Sequence, residues 1–89
     1  MEKIFFILNL SNQEKLNKII LKINSFFKAR KITFFVFRSE YKGHAVKLTK
    51  RAIDEKATSV VACGGDGTVN EIGSLLIGTN IKLGIIPVS

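Results

Sequence analysis

Four short apolar runs alternate with three longer stretches whose apolar residues recur every three or four positions, and this alternation leaves few folds open. Lys3–Leu8 is almost unbroken apolar sequence, the pattern of a strand covered on both faces. Ile32–Phe37, Ser59–Ala62 and Lys82–Ile86 repeat it, the last ending at Pro87. Between the first two runs, Leu16, Ile19, Ile20, Ile23 and Phe27 share one helical face, with Lys15, Lys18 and Lys22 opposite. Ser11-Asn12-Gln13-Glu14 reads as a capping box opening that helix. A second helix is expected from His44 to Lys56, with Ala45, Leu48 and Ala52 inward and Lys47, Lys50 and Arg51 solvated. A third runs from Thr68 to about Ile77. The order βαβαβαβ predicts an α/β fold of three layers, α/β/α, around a parallel sheet with right-handed crossovers.

Of the 89 residues, 33 are Leu, Ile, Val or Phe, enough apolar side chain for one packed core. Cys63 is the only cysteine and His44 the only histidine. An internal disulfide and a Cys/His metal site in one copy of the chain are therefore excluded. The formal charge of +7, from 14 Lys and Arg against 7 Asp and Glu, favours an anionic partner. Nucleic acid, a phosphorylated small molecule and an anionic membrane surface all fit that sign. No apolar run approaches the roughly 20 residues of a membrane span, and Ile4–Leu8 is too short for a signal-peptide core. A cytoplasmic protein is expected.

In a doubly wound sheet, ligands sit at the carboxyl ends of the strands. Three loops lie there: 9–12, 39–43 and 64–68. A fourth would follow Pro87-Val88-Ser89, where the sequence stops as if cut in mid-domain. The third loop carries the strongest chemical signal. Gly64-Gly65-Asp66-Gly67-Thr68 stands between a β-branched strand and a helix. Its glycines permit positive φ and clear side chains from a concave surface, so backbone N–H groups can converge beside a helix N-terminus. That is a phosphate-binding arrangement. Asp66 is out of place against an anion unless it meets a metal, a ribose hydroxyl or a proton to be moved. The competing reading is a tight turn followed by a capping box, Thr68-x-x-Glu71.

The run Gly64-Gly65-Asp66-Gly67-Thr68-Val69-Asn70-Glu71, with Gly84-Ile85-Ile86-Pro87 downstream and Gly43-His44-Ala45 upstream, resembles the catalytic domain of diacylglycerol kinases. Bacterial lipid kinases and sphingosine kinases belong to the same family. The glycine-aspartate core is shared with NAD kinases and 6-phosphofructokinases, and the flanking elements favour the lipid kinases. The similarity covers essentially all 89 residues. It implies the N-terminal nucleotide-binding domain of the NAD kinase/diacylglycerol kinase superfamily, with residues 1–89 forming the N-terminal part of the catalytic domain, truncated before its end.

The resemblance also implies the site. Gly64, Gly65, Asp66, Gly67, Thr68, Val69, Asn70 and Glu71 would bind ATP phosphates, and Ser39 takes the place of a nucleotide-contacting threonine. Asn9 is retained from the family's first loop, Asn-Pro-x-Ser-Gly, whereas Leu10 and Gln13 stand where Pro and Gly are usual. The Gly-Thr-x-Asn motif that follows Pro87 in the family is absent. So is the second, β-rich domain that supplies the catalytic base and much of the magnesium site. The resemblance thus implies an ATP- and Mg2+-dependent enzyme passing the γ-phosphate to a lipid hydroxyl such as that of diacylglycerol, with this chain inactive alone. ATP and a lipid substrate at a membrane surface are the expected partners, not nucleic acid. A peripheral position at the inner membrane face and a homodimer of the full-length protein stay open. So do a sphingoid base or NAD as acceptor, and a non-catalytic or degenerate nucleotide-binding module.

Two single residues complete the reading. His44 has no nucleophile partner in the sequence and is expected to start a helix or lie at the surface. Cys63, just before the glycines, is expected to be a small buried strand residue.

Overall fold

A computed structural model describes residues 1–88. Ser89, which the sequence places in a fourth strand-end loop, lies outside the described residues. Four strands and three helices follow in the expected order: β1 (Lys3–Leu8), α1 (Gln13–Lys28), β2 (Thr33–Arg38), α2 (His44–Asp54), β3 (Ser59–Gly64), α3 (Asp66–Leu76) and β4 (Lys82–Pro87). All strand pairings are parallel, and the order across the sheet is β2-β1-β3-β4.

The alternation of side chains along β1 divides the core in two. Phe5 and Ile7 join Ala45, Leu48 and Ala52 of α2 and Ile72 and Leu76 of α3 on one face. Ile4, Phe6 and Leu8 join Leu16 and Ile23 of α1 on the other, with Ile19, Ile20 and Phe27 packed against them. The predicted inward faces of α1 and α2 are thus the ones that pack. The chain steps one way from β1 to β2 and the opposite way afterwards, so crossovers of one hand place α1 alone on its face and α2 with α3 on the other. The three-layer architecture follows. The carboxyl ends fall in a row, because Leu8 is paired with both Arg38 and Cys63, and Gly64 with Pro87.

The element ends depart from expectation for local reasons. The cap of α1 is Asn12 rather than Ser11: Asn12 Oδ1 accepts the Lys15 N–H at 3.0 Å, and Asn12 O accepts the Leu16 N–H at 3.0 Å. Glu14 therefore sits one position too early to close a capping box, and it pairs with Lys18 at 3.9 Å instead. Helix α2 stops two residues short of Lys56, which takes φ 59. That left-handed turn brings the Ala57 N–H onto Ala52 O at 2.9 Å, closing the helix end and burying Ala57. β2 is shifted one residue along, to Thr33–Arg38, by its register with β1.

Candidate functional site

The strand order places the change of winding direction between β1 and β3, where a doubly wound sheet opens a crevice. Two of the candidate residues meet there. Asn9 leaves β1 with its N–H bonded to Cys63 O at 2.7 Å, and its Nδ2 donates to Thr68 Oγ1 at 2.7 Å. This bond joins the first loop to the third across 59 residues of sequence. Thr68 is buried, so its hydroxyl finds no replacement partner in water. Replacing Asn9 with Ala is expected to cost about 1–2 kcal/mol in denaturant unfolding. A variant as stable as the parent would show that the two loops are held by something else.

Strand β3 runs on through Gly64, and helix α3 begins at Asp66, so Gly65 is the only residue between them. The sequence had put the strand's end at Ala62 and the helix's start at Thr68. The reason for the tighter passage is steric. A Cβ on Gly64 would lie 3.1 Å from Thr68 Cβ, so glycine lets the first turn of the helix fold back onto the strand without displacing Thr68. Gly64, Gly65 and Gly67 do not use positive φ; among the described residues the glycines that do are Gly43 and Gly78. What Gly65 and Gly67 contribute is clearance, since a Cβ on either would meet nothing within 4 Å.

The first intrahelical bond of α3 runs from the Val69 N–H to Gly65 O at 3.1 Å. The N–H groups of Asp66, Gly67 and Thr68 precede it and have no intrahelical acceptor. Gly65, Asp66 and Gly67 are exposed, and Gly65 as the cap offers no side chain to cover them. The helix dipole adds a partial positive charge at the same point. Thr68 occupies the third helical position, so the reading of Thr68-x-x-Glu71 as a capping box is not what forms.

The remaining candidates divide. Ser39 and Glu71 line an open cleft of ≈ 530 Å³ together with Asn9. The Ser39 N–H is fixed on Leu8 O at 2.8 Å. Val69 packs against the core beneath α2 and α3 and its N–H serves the helix, while Asn70 is exposed on the first turns of α3. The loop 39–43, expected at the ligand end of the sheet, also brings Glu40, Tyr41 and Lys42 to this cleft. Arg38 just before it was not among the expected residues, and Gly64–Thr68 do not line the cleft. Among the described residues neither Arg38 nor Lys42 enters an ion pair, so both cations are free to face an anion. The pair of basic residues flanking a strand-end loop was the available signal.

Cys63 is buried beside this site, and burial pushes its thiol above the ordinary range. It is therefore held protonated and serves as strand packing. His44 is the first residue of α2, as a helix-start role requires. Among the described residues no three His, Cys, Asp or Glu side chains gather as metal ligands, and no helix is long and apolar enough to cross a membrane.

Over residues 3–88 the sequence matches the family described as Diacylglycerol kinase catalytic domain. It is 42% identical over 48 residues to the protein named Probable lipid kinase YegS-like of Klebsiella pneumoniae (strain 342), a stretch covering 52% of this chain and 16% of that one. The protein of the same name from Cronobacter sakazakii (strain ATCC BAA-894) is 40% identical over 50 residues, covering 52% and 17%.

Proposed function

This chain belongs to the diacylglycerol kinase catalytic-domain family, and we propose that residues 1–89 form the N-terminal, ATP-binding part of a lipid kinase that phosphorylates a lipid hydroxyl such as that of diacylglycerol. The observation that carries this reading is the bare start of α3. The N–H groups of Asp66, Gly67 and Thr68 have no intrahelical acceptor, and Gly65 and Gly67 beside them are exposed and leave room for a triphosphate. Arg38 and Lys42 line the neighbouring cleft with Asn9 and Glu71, and add positive charge at the same carboxyl end of the sheet.

Phosphoryl transfer asks little covalent chemistry of the protein and depends on position and charge neutralisation. In this reading the amides at 66–68 hold the phosphates, Asn9 keeps the loop beneath them in place through Thr68, and Ser39 offers a hydroxyl from the second loop. Of the departures in the first loop, Leu10 contributes to the lining of the cleft. Gln13 turns its side chain along α1 to donate to Asn17 Oδ1 at 2.9 Å, and Leu10 is buried in the core on the α1 side.

Magnesium normally accompanies ATP in such enzymes. Asp66 is the carboxylate at the mouth of the glycine run, and a single exposed acid does not make a magnesium site. Among the described residues the donor set therefore does not fit a resident metal. Asp66 is better placed to complement the helix dipole and to meet an ion that arrives with the nucleotide. The base that deprotonates the acceptor is likewise assigned to a part of the kinase outside these residues, at the cytoplasmic face of a membrane.

The chain is accordingly expected to bind ATP and to transfer almost no phosphate to diacylglycerol in mixed micelles with Mg·ATP. A chimera carrying residues 3–88 in place of the matching segment of a complete relative should phosphorylate lipid. Robust turnover by the chain alone would show that base and metal ligands lie within it. A folded chimera that fails to bind ATP would favour a non-catalytic module.

A further inference from the structure

The loop from Ser39 to Gly43 is irregular, yet it forms one wall of the cleft. A single ring fastens it at two points. The Glu40 N–H donates to His44 Nδ1 at 3.0 Å, which fixes the beginning of the loop to the first residue of α2. The imidazole also lies flat on the Tyr41 ring, with centroids 4.4 Å apart and planes inclined by 6°. Around this stack, the His44 N–H bonds Tyr41 O at 3.0 Å, and Gly43 turns the chain into α2 at φ 89. The Lys47 ammonium, one turn along the helix, sits 5.5 Å from the Tyr41 ring centroid. For Nδ1 to accept the Glu40 N–H it must carry no proton, so the hydrogen of the neutral ring resides on Nε2.

We infer that His44 is a positioning residue for nucleotide binding: its Nδ1 holds the β2–α2 loop in the shape that presents Ser39 and Lys42 to the cleft. The inference rests on the ATP reading for its consequence, though not for the anchor itself. His44 does not touch the nucleotide in this account. It acts through the backbone of Glu40 and the ring of Tyr41. A side chain that stacks but cannot accept should lose the effect, and a side chain that accepts at the reach of Nδ1 should restore it. Phenylalanine and asparagine are those two cases.

The test uses the 89-residue protein with three readouts: ATP affinity by calorimetry, hydrogen exchange at the Glu40 amide, and 15N NMR of the imidazole. The wild-type ring should show Nδ1 as the bare nitrogen and a protected Glu40 amide. In His44→Phe that protection should vanish and the ATP dissociation constant should rise about tenfold, the scale of one lost hydrogen bond. His44→Asn should recover most of both. An unchanged Glu40 amide in His44→Phe would overturn the anchor, and so would a wild-type ring protonated on Nδ1. Loss of protection with wild-type ATP affinity would overturn its role in binding. Failure of every form to bind ATP, with the Glu40 amide still responding as expected, would refute the nucleotide reading and the consequence drawn from it while leaving the anchor standing. Should His44→Phe fail to fold, His44→Asn still decides: an unprotected Glu40 amide in that folded variant contradicts the proposal.

Discussion

Gly65→Val is expected to raise the ATP dissociation constant roughly a hundredfold or more, because the new side chain occupies the place of phosphates that accept several charge-assisted hydrogen bonds. The fold should survive. Gly65 has φ −78 and ψ 179, a conformation open to a β-branched residue, and nothing lies within 4 Å of the added Cβ. The cost at a helix cap is on the order of 1 kcal/mol. Gly67→Val should behave alike, being equally unobstructed. Gly64→Val makes the contrasting case: with Thr68 Cβ 3.1 Å from its Cβ, it should lose stability and binding together. Calorimetry on variants whose melting curves match the parent separates clearance from folding. Wild-type affinity in folded Gly65→Val would mean that the triphosphate does not pass over this residue.

The second large effect concerns the core that aligns the loops. Phe5 is fully buried in β1, against the rings of Phe35 at 5.2 Å and Phe37 at 5.3 Å, which also contact each other. Phe5→Ala should cost about 3–5 kcal/mol, since the transfer term and the cavity term add. For a domain of this size that corresponds to a fall in melting temperature of roughly 12–40 °C. A fall of only a few degrees would show that the aromatic cluster along β1 and β2 collapses to fill the gap. β1 borders the Asn9 loop directly, so a loosened strand should also weaken ATP binding.

The element order and the helices' inward faces were legible because β1 is an unbroken apolar run and α1 carries a helical period; which face of β1 meets Leu16 and Ile23 came from the structure. The strand-end loops followed from the order alone. The passage around residue 65 was not legible. Glycines contain no information about where a strand ends, and the decisive contact, Thr68 against Gly64, depends on the backbone turn between them rather than on side-chain pattern. Of two polar residues side by side, the sequence favoured Ser11 as the cap because Glu14 completes a capping box with it, whereas the helix starts one residue later on Asn12. The bond from Asn9 to Thr68 and the stack of Tyr41 on His44 depend on loops converging across the sheet, which no local pattern encodes.

Titrating the 15N-labelled protein with ATP and following every backbone amide tests the central claim most directly. The largest shifts should fall on Gly65, Asp66, Gly67 and Thr68, with smaller ones along 39–43. Saturable binding that leaves those four amides unmoved while others shift would contradict the account.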